Sequence, residues 1–480
     1  MPVKSHLIQY HIAAPQTEAQ RVYSLQRKAY IDDPYPSYEQ RLKNIVSLQS
    51  LLSENEQAII EAVALDYGHR PWGETTLVEL FGSHSGLREI KKHLKTWMKP
   101  LRRKVTLFYG GKNRVIPQPK GVVGVIVPWN YPVFMTITQV AISMAAGNRT
   151  VVKMAENSSH LRDLLHGLVK EKFDEAIFAI VPDAKGSDFS SLPFDHMLFT
   201  GSPATGKAVM AAAAQNLCSV TLELGGKSPT IVCDDFELEK AAQRIAQYKY
   251  MNAGQTCLAP DYVFVPRDKV DRFVVLVQQA ANQYFPDVKD PEGYTSIIDT
   301  DSYQRLRRWL EEVKNQGAPV INLMSEDSFD DVNRKFPPHI VIDPSEDCEL
   351  LKTEIFGPIL PVIPYDNLDE VLRYIAIRDR PLALYLFSHD KKIQERVVYS
   401  SISGGVTINN CVVHCFQHDL PFGGAGASGM GQYHGYEGFA EFSKMRPVFK
   451  YPSYISSAIL SGPYTSKHKL LYRCLNWLGL

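Results

Sequence analysis

Cys257 and Glu223 are the two residues whose types and surroundings best suit covalent chemistry. Cys257 lies in the small-residue stretch Asn252–Pro260, and Glu223 ends an apolar segment, directly before Leu-Gly-Gly-Lys. A cysteine thiolate can add to a carbonyl carbon and hold the acyl product as a thioester, and a nearby carboxylate can activate the water that releases it. Since a free thiol with a pKa near ~8.5 is only slightly ionised at neutral pH, we expect the site to lower the pKa of Cys257 or to supply a base.

Each of these residues also has a structural interpretation. Cys257 could be a small buried apolar residue, and Glu223 could pair with a nearby cation. On an apolar strand the pKa of Glu223 should be raised, which suits a base. Lys227 fits two roles equally, as the partner of a carboxylate or as part of a proton path.

Asn130 is the candidate donor for the oxyanion that forms when a thiolate adds to a carbonyl. It follows the apolar segment Val122–Val127, and its amide is a neutral N–H donor that can act together with the backbone N–H of Cys257. The alternative is that Asn130 caps a helix beginning near Pro132.

Apolar segments alternate with helical segments through most of the chain, which predicts α/β architecture with parallel, doubly wound sheets. The first series has strands at Val122–Val127, Thr150–Met154, Ile177–Val181 and His196–Thr200, with helices at Pro132–Ala146, Ser159–Phe173 and Gly206–Gln215. Strands at Tyr262–Val265, Pro338–Ile342, Leu360–Pro364 and Ala383–Phe387 predict a second α/β domain.

Further elements are predicted on either side of these series. Helices are expected over Gln20–Tyr30, Tyr38–Leu52, Glu54–Tyr67 and Glu74–Met98, with Ser53 and Glu56 spaced as a capping box. Val105–Pro119 is typical of a hairpin around two glycines. Pro447 makes Ser443–Phe449 an edge strand, which we expect to pair with the hairpin of a partner subunit. We expect the short amphipathic helix Lys467–Leu478 to pack on a neighbouring subunit rather than on a membrane.

Two strand ends offer binding sites for a dinucleotide. Gly201, Ser202 and Gly206 form a strand-to-helix turn where backbone N–H groups can approach a pyrophosphate, although a tight turn would require the same glycines. Lys153 and Glu156 follow another strand. A carboxylate there accepts from a ribose 2′-hydroxyl and repels a 2′-phosphate, which favours NAD over NADP.

Composition excludes several classes of partner. Lys plus Arg equals Asp plus Glu, at 52 each, so no overall field attracts nucleic acid or an anionic membrane. No apolar run is long enough to span a bilayer. Seven scattered cysteines do not form a disulfide framework, and Cys411, His414 and Cys415 offer too few ligands for a metal site. We therefore expect a cytoplasmic protein that acts on a small molecule.

The segments Glu-Leu-Gly-Gly-Lys and Gly-Gln-Thr-Cys resemble the aldehyde dehydrogenase superfamily, and matching motifs extend from Trp129 to Gly431. The resemblance implies a Rossmann-like cofactor domain, a second α/β catalytic domain, a small β oligomerisation element and a homodimer. The implied division is a cofactor domain at 1–104 and 121–231, a catalytic domain at 232–415, oligomerisation and substrate-entrance segments at 105–120 and 416–450, and a tail at 451–480.

The same resemblance implies NAD(P)-dependent oxidation of an aldehyde to a carboxylic acid through a thiohemiacetal and a thioester on Cys257. It places Glu354 on the nicotinamide ribose and Phe356 against the nicotinamide ring, and it adds Pro128 and Trp129 to the cofactor site. NADP remains an alternative, because the family sometimes uses both coenzymes despite a glutamate like Glu156.

The segments Asn409–Asn410 and Gly429–Gly435 look like the class 3 branch, and Gly68–Arg70 with Ala259–Tyr262 is similar to bacterial coniferyl aldehyde dehydrogenases. This implies a phenylpropenoid aldehyde as substrate, although a medium-chain aliphatic aldehyde would suit the same apolar walls. Glu223 argues against a coenzyme A-acylating relative, and the presence of all three catalytic candidates argues against a non-catalytic scaffold. The side chains expected to line a substrate tunnel, unless they are core residues, are Tyr131, Phe134, Met135, Tyr250 and Phe416.

Overall fold

The computed structural model describes residues 17–324, 328–455, 461–477 and 479. Its α-helices are α1 Glu18–Asp32, α2 Tyr38–Glu54, α3 Glu56–Tyr67, α4 Trp72–Glu74, α5 Phe81–Trp97, α6 Pro132–Ala146, α7 Ser159–Lys172, α8 Gly186–Ser190, α9 Pro203–Ala214, α10 Leu238–Tyr250, α11 Val270–Tyr284, α12 Thr300–Asn315, α13 Glu349–Lys352, α14 Leu368–Ala376, α15 Lys391–Ser400, α16 Gly435–Glu441 and α17 Ser466–Trp477. Its strands are β1 Leu101–Arg103, β2 Lys112–Pro119, β3 Val122–Val127, β4 Arg149–Met154, β5 Phe178–Ile180, β6 His196–Gly201, β7 Ser219–Leu224, β8 Pro229–Val232, β9 Tyr262–Pro266, β10 Val320–Asn322, β11 His339–Ile342, β12 Ile359–Tyr365, β13 Ala383–Phe387, β14 Gly405–Ile408, β15 Gly429–Met430 and β16 Ser443–Lys450.

Two largely parallel sheets form the centre of the fold, which confirms the predicted α/β class. The first has the order β15-β7-β6-β3-β4-β5, in which only β15 pairs antiparallel. Its central strands β3 and β4 are buried along their whole length, as expected of strands covered on both faces. From β3 the chain moves to β4 on one side and returns to β6 on the other, so the strand order reverses between β3 and β6.

The second sheet has the order β10-β11-β12-β9-β8-β13-β14, with only β10 antiparallel. The chain leaves the first sheet at Leu224 and enters the second at Pro229. All four strands predicted after Cys257 are present, and β8, β10 and β14 are additional strands that the sequence analysis did not identify. The division of the chain into domains remains a prediction.

The third sheet, β1-β2-β16, corrects the predicted start of the hairpin and places β16 beside it. The first strand of the hairpin is Leu101–Arg103 rather than a segment beginning at Val105, because the connecting loop is longer than the two glycines suggested. The strand β16 lies at the edge, as Pro447 predicts, but it pairs along its whole length with β2 of the same chain. Pairing of this strand with the hairpin of a partner subunit remains a prediction.

The N-terminal helices are confirmed with small shifts of their ends. Ser53 lies inside α2, and the N-cap of α3 is Asn55, whose side chain makes no capping bond. The predicted capping box at Ser53 is therefore wrong, and Thr17 and Ser37 form capping boxes instead. The predicted helix Glu74–Met98 contains a π-helical turn at Thr75–Leu80 before α5.

The C-terminal helix α17 is confirmed, although Leu478, its predicted last residue, lies outside the described residues, as do residues 1–16 of the predicted cofactor domain. Within the described ranges, no helix combines the length and apolar character needed to cross a membrane.

Candidate active site

The predicted catalytic residues meet where the carboxyl ends of the first sheet face the second sheet. Asn130 follows β3, and Glu223 is the penultimate residue of β7. Cys257 precedes β9, so it lies at the amino end of a strand of the second sheet. The Asn130 amide Nδ2 donates to the carbonyl of Gln255 at 3.2 Å, which joins the two sides directly.

The turn before Cys257 has an unusual backbone. Asn252, Ala253 and Gly254 have φ angles of 54°, 50° and 72°, and a left-handed conformation costs a residue with a Cβ about 1–2 kcal/mol. The Gln255 side chain stabilises this turn by donating to the carbonyls of Asn252 and Ser296, both at 3.0 Å. The main chain of Cys257 is thus held by its neighbours rather than by a regular helix or strand.

Cys257 is partly buried, and its surroundings do not lower the pKa of its thiol. Burial raises the pKa of Cys257, and the neighbouring Glu354, Cys415 and Glu223 raise it further. The expectation that the protein itself lowers this pKa is therefore wrong for the chain alone. The same expectation allowed for a base within the site instead, and Glu223 is the candidate for that base.

Glu223 is a buried carboxyl group, with 3% of its surface exposed. Neither carboxyl oxygen has a hydrogen-bond partner among the described residues, and burial raises the pKa of Glu223 well above its ordinary value, as predicted. Among the residues that the structure describes, no cation pairs with Glu223, which argues against the structural interpretation. The short strand β15 pairs with Glu223 through Gly429, so the glycine-rich segment forms one wall beside this carboxyl group.

Asn130 is 3% exposed, and it does not cap the following helix. The N-cap position of α6 is Tyr131, which makes no side-chain capping bond. The backbone N–H groups of Val133 and Phe134 donate instead to Glu79, at 2.7 and 3.1 Å. The structural alternative for Asn130 is therefore excluded, and its amide carries a second N–H besides the one that Gln255 accepts.

The structure decides between the two roles considered for Lys227. Its ammonium group bonds the Asp261 carboxylate, and it also donates to the carbonyls of Leu350 at 2.6 Å and Thr353 at 3.0 Å. Asp261 in turn accepts from the backbone N–H of Ile355 at 2.9 Å. Lys227 is thus a structural partner that fixes the segment carrying Glu354.

The predicted coenzyme residues of the first sheet lie along its carboxyl edge. Lys153 is 7% exposed on β4, where burial lowers its pKa and the neighbouring Glu156 opposes that shift. Gly201 ends β6, and Ser202 is the N-cap of α9, its hydroxyl accepting from an N–H of the first turn. At Gly206 a Cβ would lie 2.6 Å from Leu224, so this glycine permits helix-to-strand packing rather than ligand contact.

Glu354, Phe356 and Trp129 come together on the other side of the same cleft. The carboxyl group of Glu354 lies directly against Gly225, where a Cβ would clash with it. Burial, followed by the nearby Asp261, raises the pKa of Glu354 to about 8. The rings of Phe356 and Trp129 are 5.4 Å apart, edge to face, and the partly buried Pro128 precedes Trp129.

The predicted substrate residues divide into two groups. Phe134 and Phe416 are partly buried and retain accessible surface, whereas Met135 is buried, with 7% of its surface exposed. Tyr131 is 6% exposed, with its hydroxyl 2.8 Å from Thr256 Oγ1. Tyr250 is fully buried, and its hydroxyl donates to a main-chain carbonyl at 3.3 Å. The structure therefore assigns Tyr250 to the core, and its prediction as a tunnel residue was wrong.

Several residues near this site were not identified from the sequence. His434 is 5% exposed, and neither ring nitrogen has a partner among the described residues; its ring meets that of Phe134 at 6.3 Å. Arg70 and Glu79 form a fully buried ion pair below Asn130. The only local signal for Arg70 was its place in a family-like segment, and nothing in sequence spacing pointed to Glu79 or His434.

The arrangement supplies a thiol, an unpartnered carboxyl group and an amide donor at one cleft, which suits acyl transfer through a covalent intermediate. Across the described ranges, no cluster of three or more His, Cys, Asp or Glu side chains has an arrangement that could hold a metal ion. The cleft also borders a strand-order reversal with a helix N-terminus, which is where doubly wound sheets bind dinucleotides.

Comparison with known proteins identifies this architecture. Residues 2–448 match the profile described as "Aldehyde dehydrogenase family". The chain is 44% identical to a probable coniferyl aldehyde dehydrogenase of Pseudomonas aeruginosa, covering 95% of this chain and 96% of the relative. It is 40% identical to a coniferyl aldehyde dehydrogenase of a Pseudomonas species, covering 91% and 92%.

Among solved structures, the substrate-bound state of AldH from Staphylococcus aureus superposes with a TM-score of 0.89 at 30% identity, covering 95% of this chain and 99% of that one. The chain therefore belongs to the aldehyde dehydrogenase family.

Proposed function

We propose that Cys257 is the nucleophile, Asn130 the oxyanion donor and Glu223 the base of an aldehyde dehydrogenase. The observation that carries this proposal is the buried, unpartnered carboxyl group of Glu223 beside the thiol of Cys257. Burying a carboxyl group without partners is costly, so its presence at a thiol calls for a chemical reason. Water activation at a thioester supplies that reason.

The steps follow from these groups. The Cys257 thiol releases its proton to water as its sulfur adds to the aldehyde carbon, and the Asn130 amide and the Cys257 backbone N–H stabilise the resulting oxyanion. NAD(P), if held by the coenzyme residues along this site, would supply the hydride acceptor. Glu223 then takes a proton from the water that attacks the thioester, so that the acid leaves and the Cys257 thiol is restored.

The residues along the cleft fit a nicotinamide dinucleotide. The first turn of α9 at Ser202 offers N–H groups to a pyrophosphate, and Lys153 with Glu156 can bond ribose hydroxyls. Glu354 would hold the second ribose, beside the aromatic pair of Phe356 and Trp129. We propose NAD as the preferred coenzyme, because the Glu156 carboxylate would repel a 2′-phosphate.

We propose a hydroxylated phenylpropenoid aldehyde, such as coniferyl aldehyde, as the substrate. The names of the bacterial relatives support it, and so does the surface around Phe134. His434 lies against Phe134 with both ring nitrogens unpartnered among the described residues, so it can bond a ring hydroxyl without losing a partner. An aliphatic chain would leave those nitrogens unsatisfied.

The test measures formation of reduced coenzyme with coniferyl aldehyde, cinnamaldehyde, benzaldehyde and hexanal, each with NAD and with NADP. Cinnamaldehyde is the matched control, because it lacks the ring hydroxyl and methoxyl groups. We expect the highest kcat/KM for coniferyl aldehyde with NAD, and no turnover by Cys257→Ala, which should still bind coenzyme.

The outcomes separate the parts of the proposal. Equal or faster turnover of hexanal would overturn the substrate while leaving the chemistry intact. A preference for NADP would overturn the role given to Glu156. Full activity of Cys257→Ala would overturn the catalytic assignment.

We also propose a homodimer assembled through the sheet β1-β2-β16. Within the described part of the chain, the outer strands β1 and β16 each have one unpaired edge, and Phe449 and Tyr451 expose 44% and 36% of their surfaces. Exposed edges and aromatic side chains are common features of subunit contacts. Light scattering on the full chain would test this, and a monomeric mass would contradict it.

A further inference from the structure

A buried ion pair lies directly beneath the proposed oxyanion donor. Arg70 Nη1 donates to Glu79 Oε1 at 2.8 Å, and both side chains are completely buried. The guanidinium group lies between the rings of Tyr67 and Tyr131, 5.0 and 5.1 Å from their centroids. A charged pair removed from water in this way contributes little net stability, so stability alone does not account for it.

The first connection runs to the backbone of Asn130. The Asn130 carbonyl accepts from the Tyr67 hydroxyl at 2.8 Å and lies 3.4 Å from Arg70 Nη1. It also accepts from Asn252 Nδ2 at 3.2 Å, which belongs to the left-handed turn before Cys257. Three donors from two segments of the chain thus converge on one carbonyl oxygen.

The second connection runs to the helix that follows Asn130. Glu79 Oε2 accepts from the backbone N–H groups of Val133 and Phe134, so the same carboxylate binds Arg70 and the first turn of α6. Asn130 is therefore fixed from both sides, at its own carbonyl and at the helix that begins after it. A donor in an oxyanion site must be placed in advance, because it is effective only at the position where the charge develops.

We propose that Arg70, with Glu79 and Tyr67, is a positioning unit that sets the Asn130 amide for the oxyanion. Arg70 does not touch the substrate and acts only through Asn130. This inference rests on the oxyanion role proposed for Asn130 above. Lysine is not an equivalent replacement for Arg70, because the planar guanidinium lies between two aromatic rings and directs Nη1 to Glu79 and the Asn130 carbonyl, and a compact ammonium group lacks that plane.

A double-mutant cycle with Arg70→Lys and Asn130→Ala tests the inference. We expect Arg70→Lys to lower kcat about 10- to 100-fold, as for a misplaced catalytic group, with the KM for NAD unchanged. In the Asn130→Ala background, the same substitution should change kcat less than about twofold, because coupled residues are not additive. A purely structural role would change stability equally in both backgrounds without this loss of the kinetic effect.

Arg41→Lys is the matched control. Arg41 is 1% exposed and donates to the carbonyl of Ala145 at 3.0 Å, at the opposite end of α6. The Arg41→Lys substitution should lower the melting temperature and leave kcat within about twofold of the wild type. That result would support the inference. If Arg70→Lys does not fold, Tyr67→Phe removes one donor to the Asn130 carbonyl and retains the ring under Arg70, and the same cycle applies.

Two results overturn the inference in distinguishable ways. If Arg70→Lys or Tyr67→Phe lowers kcat equally with and without Asn130, the positioning role is wrong while the oxyanion assignment remains. If Asn130→Ala alone retains wild-type kcat, the oxyanion assignment fails, and the inference fails with it.

Discussion

Glu223 and Glu79 are both buried carboxyl groups near the proposed active site, and they differ in their partners. Glu79, with none of its surface exposed, bonds Arg70 and two backbone N–H groups. Glu223, 3% exposed, has no hydrogen-bond partner among the described residues. Burial raises the pKa of both, but at Glu79 the guanidinium of Arg70 and the N–H groups oppose the shift. Glu79 is thus a structural connector, and Glu223 is free to exchange a proton.

The substitution Glu223→Gln should have the largest effect, and it should fall on activity. Glutamine has nearly the same shape but cannot accept a proton from water, so we expect steady-state turnover to fall about 100- to 10,000-fold. The first turnover should still yield a burst of reduced coenzyme, because hydride transfer precedes hydrolysis. Stopped-flow absorbance followed by steady-state assays would measure both phases.

The stability of Glu223→Gln should not fall. Since burial raises the pKa of Glu223 in the folded protein, the ionised form that acts as the base is less favourable there than in the unfolded chain. The difference between the folded and unfolded pKa of Glu223 costs stability as pH rises above the unfolded pKa. Glutamine does not ionise, so it removes this cost. A lower melting temperature at pH 7, or steady turnover at the wild-type rate, would contradict the role assigned to Glu223.

The same change to glutamine at Glu79 should fall mainly on stability rather than on activity. Glu79→Gln leaves the Arg70 guanidinium buried without its ionised partner, which typically costs about 3–5 kcal/mol in the free energy of unfolding. Urea denaturation of the two glutamine variants side by side would measure the difference. If Glu79→Gln were as stable as the wild type, the contrast between a connector and a reactive carboxyl group would not hold.

The sequence predicted the catalytic candidates because each lies in a short, contiguous motif. Cys257 and Glu223 each stand beside small residues at a strand end, and the carboxyl ends of parallel strands meet at one edge, so their convergence follows from the alternation of strands and helices. A lowered pKa of Cys257 was also expected, but the structure raises this pKa. A lowered value needs a nearby cation, whereas the neighbours of this thiol in the fold are carboxyl groups and another thiol.

Other features depend on contacts that local spacing cannot reveal. Glu79 caps α6 from a segment 54 residues earlier in the chain, so a search for capping residues next to the helix could find only Asn130. Tyr250 has the aromatic character of a tunnel residue, but α10 buries it against β11. At Ser53 the capping-box spacing was present by chance, because α2 continues to Glu54.

Glu354 is intermediate between the two carboxyl groups compared above, and the effect of replacing it should depend on pH. Its pKa is raised to about 8, chiefly by burial and next by Asp261, while the Gly226 N–H, Lys227 and Arg305 oppose the shift. Because the folded pKa lies above the unfolded value, the stability contributed by the protonated group is complete below about pH 4.5. It is lost as pH rises toward 8, at up to about 1.4 kcal/mol per pH unit.

Glu354→Gln has no such proton, so its free energy of unfolding should rise relative to that of the wild type between pH 5 and pH 8. Urea denaturation at pH 5, 6.5 and 8 without coenzyme measures that difference, and the shifts of other groups cancel in it. Parallel losses of stability across this range would mean that Glu354 is already ionised in the folded protein, and the cleft would then hold a fixed negative charge beside Cys257 before any coenzyme binds.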